Sequence, residues 1–393
     1  MNTDYLYGYL NLSFWGYVVA TLIMMQVSIF GVTVYLHRDA AHRSLDLHPA
    51  IRHFFRLWIW MSSSMLTKEW VAVHRKHHAK CETAEDPHSP VIFGLKKVLL
   101  EGAELYAVQA RNPDTIEKYG RGCPDDWIER NVYSRYRNAG IISMAVIDIF
   151  LFGVPSILIF SIQMLTFPVL AAGVINGLGH AVGYRNFECP DASTNVMPFG
   201  LLIGGEELHN NHHAFPSSAK FSIQRWEFDP GWGLISIFKA LGLAKVHRIA
   251  PTPTKVATTH VDLETVRAVI VNRMHVIREY THHVMLPVFR AELTIAGNKL
   301  SNGIRNLLVR ESSLLDDQAR SQLHQALSDH QALHIVHEFR AQLQQLWNTN
   351  MSNESLLQHL KEWIAQAEAS GIKSLQEFAA SLRSYSMPTL ATA

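Results

Sequence analysis

Residues 12–36 read Leu12-Ser-Phe-Trp-Gly-Tyr-Val-Val-Ala-Thr-Leu-Ile-Met-Met-Gln-Val-Ser-Ile-Phe-Gly-Val-Thr-Val-Tyr-Leu36 and run straight into His37-Arg38-Asp39-Ala40-Ala41-His42. The stretch holds no charged residue, and at about 1.5 Å per helical residue it is long enough to cross roughly 30 Å of hydrocarbon. A second apolar region, residues 140–184, contains one charge, Asp148, and is long enough to cross twice. The sequence therefore reads as an all-α integral membrane protein, with histidines at the end of its first span.

Composition narrows the reading. Hydrophobic residues make up 48% of the chain, but they are concentrated before residue 245. A cleaved signal peptide would need a basic leader and a shorter apolar core, whereas Asp4 is the first charge and the next is Arg38, so the first span is expected to be retained. Net charge is +1, and no basic tail or stripe points to nucleic acid. Cys123 and Cys189 stand far from Cys81 and from each other, with no CxxC spacing, so neither a disulfide framework nor an iron–sulfur cluster is indicated.

Taken in order, the chain divides into a membrane domain, residues 1–250, and a cytoplasmic helical extension, residues 251–393. Arginines follow the first span and none precede it, which by the positive-inside rule places the N-terminus outside. Residues 51–66 are apolar but short, carry Arg52 and Arg56, and include three consecutive serines. They read as an interfacial helix that does not cross. A crossing there would also put His74, His77 and His78 on the opposite face from His37 and His42. The polar stretch from Ala79 to Asn138 reads as a cytoplasmic cap over the histidines. Residues 141–163 and 166–184 form a membrane hairpin, with its turn expected at Thr166-Phe167-Pro168. Three crossings result, with the C-terminus in the cytoplasm of what reads as a multi-pass protein of a bacterial inner membrane. Beyond Pro251-Thr-Pro253 the periodicity is helical without a spanning run, and Ser374-Leu-Gln-Glu377 is expected to open the last helix as a capping box.

The chemistry lies in the histidine spacing. His74-Arg-Lys-His77-His78 and His209-Asn-Asn-His212-His213 repeat one pattern, and residues at i, i+3 and i+4 share a helix face. Imidazole with few carboxylates suits iron, zinc, copper or nickel rather than calcium or magnesium. With His37, His42 and His180 the set contains nine imidazoles, too many for one ion and suited to two. Taken singly, each of these histidines is an ordinary polar residue; clustered on one membrane face they read as a dinuclear site. Ligating imidazoles need partners on their second nitrogen, and Asp39, Asp86, Glu206, Glu207 and Asp229 lie nearby in sequence. Asp148, about 10 Å deep by residue count, is a further candidate to orient a ligand histidine.

His37-Arg-Asp-Ala-Ala-His42, the two HxxHH clusters, Asn176-Gly-Leu-Gly-His180, Gly204-Gly205-Glu206-Glu207 and Arg225-Trp226 together resemble the histidine boxes and flanking motifs of the membrane fatty acid desaturases, in particular the Δ9 acyl-lipid and acyl-CoA type. The resemblance covers roughly residues 10–245. It implies a non-haem di-iron enzyme that uses O₂ and two external electrons to place a cis double bond in a saturated long-chain acyl group. The ligands it implies are His37, His42, His74, His77, His78, His180, His209, His212 and His213, with no catalytic residue beyond them. Asn176 stands at the position that acts through a water.

Where animal acyl-CoA desaturases carry an Arg-Asp pair that holds the CoA head group, this chain has Ala72-Val73, so a phospholipid-linked acyl chain is at least as consistent as a CoA thioester. The chain has no dinucleotide-binding fingerprint, cysteine cluster or fused haem segment, which implies a separate electron donor, a ferredoxin or flavin reductase. A related di-iron hydroxylase or alkane monooxygenase shares the histidine logic. A metal transporter would instead place its ligands near the bilayer midplane.

Overall fold

The computed structural model describes residues 4–258, 260–296, 301–348 and 351–387. The chain divides into two compact units, Met1–Arg185 with Asp191–Ala250 and Asn186–Pro190 with Pro251–Ala393.

The first unit is mostly helical. Helix α1 (Phe14–Ala41) is 28 residues long, and Ser13 caps its start, its hydroxyl accepting from the Gly16 amide. From Gly31 to Ala41 the helix widens into π turns, and the first histidine pair emerges there. A short strand β1 (Leu45–Leu47) follows, then α2 (Pro49–Ser63), α3 (Thr67–Lys80), α4 (Pro90–Phe93), α5 (Leu95–Ala110) and α6 (Pro113–Tyr119). Next come α7 (Ala139–Phe152), α8 (Ser156–Leu178), α9 (His209–Ala214) and α10 (Pro230–Ala240). Strand β2 (Ala244–Val246) closes the unit by pairing antiparallel with β1.

Two helices are long and apolar enough to cross a bilayer, α1 and the 23-residue α8. Their outward faces carry Phe14, Trp15, Leu22, Ile23, Ile157 and Leu158, each more than half exposed, the surface that a hydrocarbon solvent would cover. Helix α7 is apolar but has 14 residues, about 21 Å. Helix α2 is not among the bilayer-length helices; its Arg52 pairs with Asp39 and Asp46, and its Arg56 with Asp126 and Glu129.

The hairpin expected to turn at Thr166-Phe167-Pro168 turns instead at Gly153-Val154-Pro155. Gly153 adopts φ +62°, and a Cβ there would lie 2.2 Å from the Leu6 carbonyl oxygen, so the chain reverses where an L side chain is excluded. Pro155 then sets the start of α8. Pro168 is absorbed inside α8, because Phe167–Ile175 is wound as a π-helix, whose local widening tolerates the missing N–H. Helix α5 crosses α8 at close range: a Cβ on Gly102 would lie 2.5 Å from the Ala172 carbonyl oxygen.

The second unit has its own core, in which Val276, Tyr280, Val284, Leu333, Val336, Leu360 and Leu375 are almost fully buried. The Tyr280 hydroxyl donates to the Val336 carbonyl. The capping box expected at Ser374–Glu377 does not form. The last helix, Lys373–Arg383, begins earlier, with Ile372 at its N-cap; a reciprocal box is found at Asp262 and Thr265 instead.

Candidate metal centre

Three elements of the first unit converge on one region: the π-wound end of α1 brings His37 and His42, α3 brings His74, His77 and His78, and α9 brings His209, His212 and His213. His180 joins them just beyond the end of α8. The ring nitrogens sort into two groups. His37, His42, His74, His78 and His212 form one; His77, His180 and His213 form the other together with Cys81, each group spanning no more than 4.8 Å between donor atoms. His209 belongs beside the second, its Nε2 lying 3.0 Å from Nε2 of His180. Either group could hold a metal ion.

The spacings fit that use. Nε2 of His212 is 3.0 Å from Nε2 of His37 and 2.9 Å from Nε2 of His78, and Nε2 of His42 is 2.8 Å from Nε2 of His74. Nitrogen ligands at about 2.0–2.1 Å, at right angles about one ion, would stand about 2.9 Å apart. Nε2 of His213 is buried and has no hydrogen-bond partner.

Four carboxylates set the direction of these rings. Nδ1 of His37 faces Glu206 at 2.8 Å, Nδ1 of His77 faces Asp86 at 3.1 Å, Nδ1 of His180 faces Glu82 at 3.3 Å and Nδ1 of His213 faces Asp191 at 3.1 Å. A carboxylate on Nδ1 holds the proton there and turns the Nε2 lone pair inward. Burial, reinforced by the neighbouring rings, holds His42, His74, His78, His209 and His212 well below the usual imidazole range. It lowers His180 to about 4. Those six imidazoles are held neutral where a cation would meet them.

Of the carboxylates near the boxes in sequence, Asp86 and Glu206 hold histidines, and the others do different work. Glu207 accepts from the backbone amides of Leu202, Ile203 and Gly205, fixing the turn before α9. Asp39 pairs with Arg52 and accepts from the Leu47 amide. Asp229 pairs with the fully buried Arg38, whose guanidinium also donates to the Ala219 carbonyl and lies 3.7 Å over the Phe221 ring. That knot ties the first box to the segment after the third.

Asp148 does not reach a histidine. It lies well along α7 toward the Gly153 turn, fully buried, with the Gln163 side chain of α8 as its polar neighbour.

Glu82 and Asp191 were not singled out from sequence. Glu82 lies four residues past the second box, a position that could have flagged it; Asp191 offers no local signal and is brought to His213 by the loop after α8. His88 is also buried, its ring stacked on His77 at 4.5 Å.

The histidines open on an apolar cavity of about 310 Å³. His37, His74, His77, His209 and Glu206 form one part of its lining, and Val32, Ile141, Met164, Phe167, Ile175 and Ile203 are among the apolar remainder. Asn176 also lines it.

Fold and site define a class: a helical protein with bilayer-length apolar helices that gathers histidines able to hold metal beside an apolar cavity. Residues 12–229, more than half of the chain, match the family model described as fatty acid desaturase, and the chain belongs to that family. It is 29% identical to the Delta-9 acyl-lipid desaturase 1 of Arabidopsis thaliana over 244 residues, 58% of this chain and 74% of that protein. It is 31% identical to the Acyl-CoA C20 Delta5-desaturase of Anemone leveillei over 250 residues, 59% of this chain and 72% of that one. A third relative, the sn-1 stearoyl-lipid 9-desaturase of Synechocystis, is 30% identical over 237 residues, 59% of this chain and 72% of that protein. The protein is thus an oxidoreductase, a fatty acid desaturase of a membrane-associated family. Residues 258–392 match a different family model, described as transposase.

Proposed function

We propose that the enzyme introduces a cis double bond at the Δ9 position of a saturated long-chain acyl group carried on a membrane phospholipid, consuming O₂ and two electrons. The observation that carries the reading is the cavity that joins the histidine groups to an apolar lining. An acyl chain laid in it would bury its methylenes at about 0.8 kcal/mol each, which holds one segment of a featureless chain beside the histidines.

Two iron ions fit the two nitrogen groups, with His37, His42, His74, His78 and His212 around one and His77, His180, His209 and His213 around the other. When bound they supply the O₂ chemistry that an unactivated C–H bond requires. The chain's own contribution is to hold the rings through Glu206, Asp86, Glu82 and Asp191, to keep the imidazoles neutral, and to exclude water from the reacting segment. Asn176, in the cavity wall, acts through a water.

Ala72 and Val73 are fully and almost fully buried, and Val73 faces the cavity, so neither position offers a surface charge to a CoA head group. This supports a lipid-linked carrier, the kind named for two of the relatives above. Topology follows from the helix directions. Both α1 and α8 run toward the histidines, so the chain between them must return across the bilayer once. Helix α7 is the apolar helix available for that third crossing, while α2, with its paired arginines, lies at the interface. Electrons come from a separate ferredoxin or flavin reductase.

The test is mass spectrometry of intact lipids and acyl-CoA after pulse-feeding labelled saturated acid to aerobic cells that express the wild type or His212→Ala. A Δ9 double bond appearing first in phospholipid, and only with the wild type, supports the whole proposal. First appearance in acyl-CoA overturns the carrier assignment, and a hydroxylated product overturns the reaction outcome.

A further inference from the structure

We propose that Cys81 supplies a sulfur ligand to the second metal position, beside His77, His180 and His213. This rests on the two-metal reading above and adds to it a donor of different chemistry.

Sγ of Cys81 lies in one donor group with the three imidazoles, all within 4.8 Å of one another. Two ligands on opposite sides of one ion would be about 4.4 Å apart, so a group bounded at 4.8 Å is close to the span of a single coordination sphere. Sγ is 3.9 Å from Nε2 of His77. With sulfur at about 2.3 Å and nitrogen at about 2.1 Å from an ion, two donors 3.9 Å apart can both reach it. His213 points to the same place independently: Asp191 holds its Nδ1, and its Nε2 is buried without a partner.

The backbone explains why the sulfur faces inward. His77 and Cys81 are one helical turn apart, and Cys81 is the C-cap of α3. Glu82 then takes φ +60°, a left-handed conformation for a side chain that gains nothing local from it. Its amide donates to Asp86 at 2.7 Å, and its carboxylate swings back to Nδ1 of His180 at 3.3 Å and to the Ala192 amide at 2.6 Å. Two consecutive side chains, Cys81 and Glu82, are thereby directed at the second group. The strained residue maintains that arrangement.

A metal-bound thiol gives up its proton, here to solvent, and binds as the thiolate. The first centre would then hold neutral nitrogen donors alone, and the second would carry an added negative charge. That charge favours the more oxidised ion, so the two metals differ in ease of reduction.

The test uses the full chain in detergent, loaded anaerobically with cobalt(II), which reports thiolate ligation by a near-ultraviolet charge-transfer band. Two bound ions with the band present in the wild type, and the band lost in Cys81→Ser while two ions remain bound, is the expected result. On the unmutated chain, cobalt loading should also slow iodoacetamide modification of Cys81, followed by peptide mass. Two bound ions without the band, or a band that survives in Cys81→Ser, overturns the assignment and leaves the two-metal reading standing. Equal alkylation of Cys81 with and without cobalt does the same. A chain that binds no cobalt overturns both.

Discussion

Replacing Asp191 with asparagine isolates one link of the proposed metal architecture. Asp191 is buried; one carboxylate oxygen accepts from Nδ1 of His213 at 3.1 Å and the other from the Ser193 amide at 3.0 Å. Asparagine keeps the shape and can keep the Ser193 bond, but it removes the charge that holds the His213 proton on Nδ1. A hydrogen bond to a charged partner contributes about 1.5–3 kcal/mol, and a neutral one about 0.5–1.5 kcal/mol. The difference, about 1–2 kcal/mol, corresponds to a five- to thirty-fold loss of metal affinity at the second centre, overlapping the roughly 10- to 100-fold typical of such partners. If the new amide instead donates to Nδ1, the proton moves to Nε2 and the ligand is lost outright. Chelator-competition titration of the purified full chain should show one of two sites weakened and the other unchanged. Two unaltered affinities, or equal weakening of both, would refute the argument that Asp191 acts through His213.

Three further outcomes are expected. Arg38→Ala breaks a fully buried pair with Asp229 and leaves that carboxylate uncompensated, for a loss of about 3–5 kcal/mol; thermal unfolding in detergent should show a large fall in Tm, and a shift under a few degrees would contradict it. The metal-free chain should lose stability as pH falls from about 6.5 toward 4, because His180 titrates near 4 when folded and near 6.5 when unfolded, so the unfolded state binds the extra proton at about 1.4 kcal/mol per pH unit. The other buried histidines act in the same direction, and a flat melting temperature from pH 7 to pH 5 would refute it. Asp148→Asn should leave metal content unchanged and keep or raise Tm, since it removes a carboxylate that is fully buried in an apolar helix; loss of bound metal would restore it as a residue that positions a ligand.

Much of the centre could be read along the chain because its signals are local. An HxxHH cluster places three rings on one helix face wherever that helix sits, and a charge-free run such as residues 12–36 declares its solvent without reference to any neighbour. Sequence alone misplaces the hairpin turn because two prolines compete. Pro168 has the stronger look of a breaker, but a π-wound stretch accommodates it, while the close approach of Gly153 to Leu6, which the flanking residues do not reveal, set the reversal.

Residue type and spacing by themselves determined the apolar helices, the nine candidate imidazoles and the kind of metal they suit. Only the tertiary structure decided how the rings sort into two groups of donors, that Glu82 and Asp191 rather than Glu207 and Asp148 hold their outer nitrogens, and that Cys81 faces the second group. The physical reason is that a ligand's identity is carried by its own side chain, whereas its partner is chosen by whichever carboxylate the fold brings within about 3 Å. For His180 and Glu82 that choice spans 98 residues of chain.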